Sequence, residues 1–284
     1  MSLLFTTLIL ILGLSLIVYI LFPIFGILIR INPFQKEGNL IINLFDPQII
    51  SSLLLSVQTA TASTAICIVT GIPLAYLIAR SNPKFTQFLR ISIALPLAIP
   101  PLIAGALLLN VYGESSPLGM LAQSVGVRTT QSSLGIILAQ VFVISPFVVL
   151  TASAGIEKVD RYYEYASRIL GKGAALTFVS ITIPLAAKEI VAGIVLAWIR
   201  ALGEFGANVM MAYNPKTISV QLWEYNALGG LKLVMPGVLL VILFSFVSLA
   251  FWFWVTNLSR SSSRSRSRIM TVFRDVQHYG NDKD

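Results

Sequence analysis

Residues 157–184 read EKVDRYYEYASRILGKGAALTFVSITIP. Asp160 is a candidate N-cap, and Gly171 or Gly173 a candidate stop. A short helix of about ten residues fits between them. Tyr163, Ala166, Ser167 and Leu170 fall at i, i+3, i+4 and i+7, so they share one face. Such a helix is too short to cross a bilayer and too polar to hide in lipid. Its charged residues Arg161, Glu164 and Arg168 are expected at the surface. Periodicity leaves two readings open: a knob that fits a socket on a soluble partner, or a helix lying on lipid headgroups.

The surroundings say which kind of chain carries this helix. Apolar stretches flank it, about 133–156 before and 189–212 after. Four more lie at about 3–29, 49–79, 91–112 and 233–255. A hydrocarbon core of about 30 Å needs about 20 apolar helical residues, and only helices or closed barrels satisfy their backbone in lipid. The first stretch lacks a basic leader and is too long for a signal-peptide core, so it counts as a crossing. The expected fold is an all-α integral membrane protein with six transmembrane helices over residues 1–258. Residues 259–284 are expected to form a basic, disordered cytoplasmic tail.

Composition agrees. The chain has 284 residues, 56% of them hydrophobic and only 11% charged, and its mean hydropathy is +0.83. A cytosolic globule would need far more polar surface. One cysteine, Cys67, excludes an intrachain disulfide, and one histidine, His278, leaves no ordinary zinc ligand set. Lys and Arg set the orientation. Of the twenty, fourteen follow the second, fourth and sixth stretches, five lie in the alternate segments, and Arg200 lies within the fifth stretch. This asymmetry predicts both termini and the 157–188 segment in the cytoplasm. No GxxxxGK[ST] loop occurs, so this chain is not expected to hydrolyse ATP by that route. The run SRSSSRSRSR at 259–268 reads as a juxtamembrane stretch drawn to anionic lipid rather than as a nucleic-acid site.

The quoted segment also carries a motif. Glu164-x-Ala166-Ser167-Arg168-x-Leu170-Gly171, followed by Ile181-x-Ile183-Pro184, resembles the EAA signature of ABC importer permeases. Ser167 stands where that signature has alanine, and Ile183 where it has leucine. The resemblance implies the type I ABC importer permease fold. It implies that the helix bearing Asp160, Tyr163, Glu164, Ala166, Ser167, Arg168 and Leu170 docks on a cytoplasmic ATP-binding subunit. Gly171 would then allow close backbone approach and the turn out of the helix. Pro184 would mark the break where the chain re-enters the membrane. The segment from Arg200 through Gly203, Glu204 and Gly206 to Ala207 resembles permeases for molybdate, tungstate and sulfate. Ala212 to Thr217 and Trp223-Glu224-Tyr225 look most like the molybdate/tungstate type, as do Val18-Tyr19 and Pro23.

By that resemblance two copies pair as a homodimer, with two ATP-binding subunits inside and an oxyanion-binding protein outside. No cofactor is expected on this chain, with ATP and Mg on the partner subunit, and no covalent chemistry. A sulfate or thiosulfate permease is the near alternative. A stand-alone gradient-driven transporter is the distant one, weakly supported because Glu204 has an arginine beside it.

Candidate path residues follow from the spans. Pro96, Pro100 and Pro101 fall within six residues and interrupt the third stretch. The freed carbonyls suit either a water-lined path or a buried kink. Arg200 and Glu204, four apart, are expected to share a helix face, as a structural ion pair or as a flank of the path. Gly203 and Gly206 permit bends or close packing. Gln58, Asn110 and Gln140 are expected to face other helices. The outer segments 30–48, 113–132 and 213–232 are expected to form a landing platform, with Glu114, Arg128, Lys216 and Glu224 as its charges.

Overall fold

The computed structural model describes residues 3–30, 46–231 and 233–252. The expected basic tail, and most of the 30–48 outer segment, lie outside these residues. The described residues are mostly helical, with no strand among them. In chain order, α1 is Leu3–Arg30, α2 Pro47–Arg80, α3 Pro83–Ala98, α4 Pro101–Tyr112, α5 Pro117–Ser124 and α6 Ser133–Glu157. Then come α7 Arg161–Ile169, α8 Ala174–Thr177, a π-helix Phe178–Thr182, α9 Ile183–Leu185, α10 Ala187–Leu202, α11 Gly206–Met211 and α12 Ile218–Gly229. Leu233–Trp252 forms α13.

Four helices, α1, α2, α6 and α13, are long and apolar enough to cross a membrane. The third and fifth expected crossings are not straight helices. Pro83–Ala98 and Pro101–Tyr112 meet at 110°, and Ala174–Leu185 meets Ala187–Leu202 at 78°. Six crossings result only if each bent pair counts as one. The cause at the first bend is the sequence Pro96…Pro100-Pro101. Proline removes backbone donors and restricts the residue before it to extended backbone, as Ile99 and Pro100 show with ψ 125° and 136°.

The core lies where α2, α6 and α10 pack together. α2 presents a seam of small residues, Ser52, Ser56, Thr59, Ser63, Cys67, Gly71 and Ala75, at three- and four-residue spacing, all buried. In lipid, where aliphatic burial does not drive helix association, small side chains let backbones approach closely. The hydroxyls of Ser52, Ser56 and Thr59 bond back to the carbonyls of Ile49, Ser52 and Leu55 at 2.9–3.0 Å, so the seam carries little unmet polarity.

Gln140 of α6 is fully buried in this core. It accepts from Ser63 Oγ at 2.8 Å and donates to the Ala201 carbonyl at 3.1 Å and to Thr59 Oγ1 at 3.3 Å. One amide thus links all three helices. Gln58 and Asn110, expected to face other helices, are exposed in the single chain. α1 touches little of the bundle: none of its apolar span is buried.

At the far end of α2, Asp46 caps the helix through Gln48 N–H at 2.9 Å. Tyr225 of α12 donates to the second Asp46 oxygen at 2.6 Å, which ties the α12 segment to the start of α2. Burial and the neighbouring Asp46 carboxylate push the Tyr225 hydroxyl up to about 12. The outer segments 113–132 and 213–232 thus carry short helices, α5 and α12.

Candidate functional site

The short helix α7 forms where the sequence places it. Asp160 Oδ1 accepts from Tyr162 N–H at 2.9 Å, satisfying a free first-turn donor. At the other end, Gly171 N–H reaches the Arg168 carbonyl at 3.0 Å and Lys172 N–H the Ser167 carbonyl at 3.2 Å. This pair of reversed bonds needs a left-handed residue, and Gly171 has φ +88°. A Cβ there would meet nothing within 4 Å. Within this chain, backbone conformation is what calls for glycine here; the expected close approach concerns a docked partner.

The orientation of α7 differs from the expectation in an informative way. Glu164, expected at the surface, is buried, and so is Ser167. Tyr163 and Leu170, expected to share a face with Ser167, are exposed at 43% and 83%. Tyr162, Tyr165 and Ile169 are exposed as well. The helix turns Glu164 and Ser167 inward and its aromatic and aliphatic residues outward, while Arg161 and Arg168 are exposed as expected.

Three long-range partners explain this reversal. Arg80, the last residue of α2, gives Glu164 Oε1 two hydrogen bonds, from Nε at 3.1 Å and Nη2 at 2.9 Å. The same Nη2 reaches the Val159 carbonyl at 2.9 Å. Thr182, in the π-helix, donates to Glu164 Oε1 at 2.9 Å. Tyr76 lies one turn before Arg80, its hydroxyl 3.5 Å from Glu164 Oε2. Ser167 Oγ and Thr177 Oγ1 share a bond at 3.1 Å. A buried carboxylate is stable only when paired and hydrogen-bonded, and Glu164 is both. The carboxylate clamps α7 between the end of α2 and the segment that leads into α10.

No local motif marks Arg80, Tyr76 or Thr182 as part of this site. Arg80 reads locally as one more orienting charge. Thr182 carries a faint signal, as a polar residue between Ile181 and Ile183. Pro184 lies inside α9, and the chain bends two residues later, at Ala186. The expected break is displaced by that much: α9, which holds Pro184, follows directly on the π-helix, within a helical arm that runs from Ala174 to Leu185.

The second cluster gathers the interrupted spans. α10 ends at Leu202 and α11 begins at Gly206, so Arg200 and Glu204 do not share a continuous helix. They still pair, Arg200 Nη1 to Glu204 Oε2 at 2.5 Å. Glu204 Oε1 also accepts from Ala207 N–H at 2.9 Å, and Asn208 Nδ2 donates to the Glu204 carbonyl at 2.8 Å. Glu204 therefore caps α11 as well as neutralising Arg200. Its side chain is 1% exposed, while that of Arg200 is 33% exposed. Asn208 Oδ1 is buried without a partner among the described residues.

Gly206 brings the two broken regions together. A Cβ on it would lie 2.8 Å from Leu102 N and 2.9 Å from Pro101 Cβ. Only glycine admits this contact between α11 and the start of α4. Gly203, at the end of α10, has φ −88° and open space, so nothing local requires glycine there. Pro100 caps α4 and Pro101 opens it, whereas Pro96 sits inside α3. Pro101, Gly206, Glu204 and Arg200 thus form one neighbourhood; Pro96 lies before the bend, inside α3.

On the outer segment, Lys216 Nζ lies 2.5 Å from Glu224 Oε2, and Tyr213 donates to Glu224 Oε1 at 3.1 Å. The lysine hydrogen bond holds the Glu224 carboxyl below its ordinary value. No cluster of three or more metal-ligating side chains occurs among the described residues.

Comparison with known proteins places this geometry. Over 227 residues the chain is 36% identical to a probable molybdenum ABC transporter permease protein of Haloferax volcanii, covering 80% of this chain and 81% of the relative. It is 34% identical over 240 residues to the molybdate/tungstate transport system permease protein WtpB of Pyrococcus furiosus, covering 84% and 90%. The fold is similar to a chain in the crystal structure of a bacterial alginate ABC transporter bound to its periplasmic protein. That match has TM-score 0.70 at 14% identity, over 90% of this chain and 94% of the other. Residues 71–264 match the family of binding-protein-dependent transport system inner membrane components. With α7 held between a long span and a bent one, as a transport subunit and not an enzyme, the chain belongs to that family.

Proposed function

We propose that this chain is the membrane-spanning subunit of an ATP-driven importer for a tetrahedral oxyanion, molybdate or tungstate. It works as a homodimer in the plasma membrane, with both termini in the cytoplasm. Two ATP-binding subunits, carrying ATP and Mg, dock on α7 from inside, and an oxyanion-binding protein docks on the outer segments. The substrate rests on the names of the two relatives. The coupling role rests on one observation: α7 anchors its carboxylate inward and leaves Ile169 and Leu170 exposed at 86% and 83%. An exposed apolar face on a short helix is costly unless a partner covers it.

The clamp gives the coupling a route. A partner that moves α7 pulls on Arg80 at the end of α2 and on Thr182 before α10. Both helices belong to the core, and α10 leads to the Arg200–Glu204 pair and the Gly206–Pro101 contact. That neighbourhood is the proposed gate, with the ion pair keeping the arginine neutralised while the helices shift. ATP acts through the different affinity of the ATPase dimer for the two arrangements.

The test is uptake into liposomes holding the permease and its ATP-binding subunits, with the binding protein supplied. Molybdate should accumulate only with ATP, tungstate should compete at similar concentration, and sulfate only in large excess. Uptake that persists without the ATP-binding subunits overturns the mechanism. Equal competition by sulfate overturns the substrate.

A further inference from the structure

The end of the bundle that carries α7 is basic, and three of its cations are paired. Arg80 pairs with Glu164, Arg90 with Glu157, and Lys158 with Glu189. Arg168 has no carboxylate partner among the described residues. It lines a cavity of about 340 Å³ whose other walls are apolar: Pro73, Tyr76 and Leu77 of α2, Ala175 of α8, and Phe178 of the π-helix. The Tyr76 and Phe178 rings pack at a tilt of 59° at one side, with centroids 4.8 Å apart. Tyr76 turns its hydroxyl toward Glu164, so the ring presents carbon to the cavity. Leu77 is half exposed.

The position matters as much as the lining. Pro73, Tyr76 and Leu77 occupy the last two turns of a membrane-crossing helix that ends at Arg80. Cationic side chains at such ends sit at headgroup depth, and basic pockets between spanning helices take anionic lipid headgroups. A trough of hydrocarbon walls with one unanswered guanidinium matches a molecule with a hydrocarbon tail and a phosphate at one end. We propose that this cavity binds one anionic phospholipid, its acyl chain along Pro73, Leu77 and Phe178 and its phosphate on Arg168. The lipid braces α7 against α2 beside the Glu164 clamp, with Tyr76 shared between the two. This proposal does not depend on the transported substrate or on the ATP-binding subunit.

The test is native mass spectrometry of the full-length chain released from nanodiscs. The nanodiscs contain equal amounts of phosphatidylglycerol and phosphatidylcholine with identical acyl chains. One charge near a membrane surface corresponds to a preference of about fivefold, and the wild-type chain should retain phosphatidylglycerol by about that factor. Arg168→Gln should bring the two lipids to parity. Arg161→Gln, an exposed arginine on the same helix but outside the cavity, should leave the preference intact. Ala175→Trp should fill the cavity and lower retention of both lipids. Absence of a preference in the wild-type chain overturns the proposal without any variant. Equal loss in Arg161→Gln and Arg168→Gln overturns it in favour of general surface attraction. An unchanged lipid preference in Arg168→Gln, together with weaker assembly with the ATP-binding subunit, overturns it in favour of a protein carboxylate.

Discussion

Replacing Arg80 by methionine removes both hydrogen bonds to Glu164 Oε1 and the bond to the Val159 carbonyl. The two side chains are 12% and 6% exposed, so the carboxylate left behind is a buried charge with only Thr182 and Tyr76 near it. Breaking a buried pair from one side costs about 3–5 kcal/mol, whereas replacing both partners with apolar groups of similar volume is close to neutral. Arg80→Met or Glu164→Leu alone should therefore release α7. The double variant should recover most of the loss in stability. At about 1.4 kcal/mol per tenfold, each single change raises the opening equilibrium of α7 by about two to three and a half decades. Hydrogen exchange at the amides of residues 161–169, read against amides in α6, measures this directly. ATP turnover by reconstituted complexes gives the functional readout. Both singles should raise turnover in the absence of the binding protein. Losses that simply add in the double variant would refute the clamp, because independent sites show no coupling.

Three further outcomes follow from other positions. Gly171→Ala forces a left-handed conformation on a residue with a Cβ and should cost about 1–2 kcal/mol, read as a lower thermal midpoint; Gly171→Asn should cost less, because asparagine tolerates that conformation. Gln140→Leu deprives Ser63 and the Ala201 carbonyl of their buried partner and should destabilise the three-helix core by about 1–3 kcal/mol, measured by detergent denaturation. The Lys216–Glu224 pair gives a pH signature. The Glu224 carboxyl is held below its ordinary value of 4.5, so its contribution is complete above that value and is lost as the pH falls through the lowered one. Glu224→Gln should remove that acid-side loss from a stability–pH profile and leave the neutral-pH behaviour of the core unchanged.

Several features were legible because they are local. Asp160 and Gly171 bound α7 because a cap and a left-handed stop are properties of two residues and their immediate neighbours. The prolines at 96, 100 and 101 mark an interruption for the same reason, though not its size: 110° depends on what α4 packs against. Gly206 reads as permissive in any sequence. That it touches Pro101 required the folded chain, because α11 and α4 are far apart in sequence. The Arg200–Glu204 spacing predicts one helical face. The pairing survives in the structure although the helix does not, since the turn at Gly203 keeps the side chains within reach.

What the sequence determined alone were quantities summed along the chain: the number and length of apolar stretches, the charge asymmetry between them, and the short polar helix with its motif. These depend on composition and local geometry, and a bilayer enforces them through chain length and desolvation. The tertiary structure decided which way α7 faces. Periodicity assigns a face only by assuming that apolar residues turn inward. Here the inward face is polar because Arg80, 84 residues earlier in the chain, supplies the countercharge that makes burial of Glu164 tolerable. A contact over that separation is made by folding, and no local spacing encodes it.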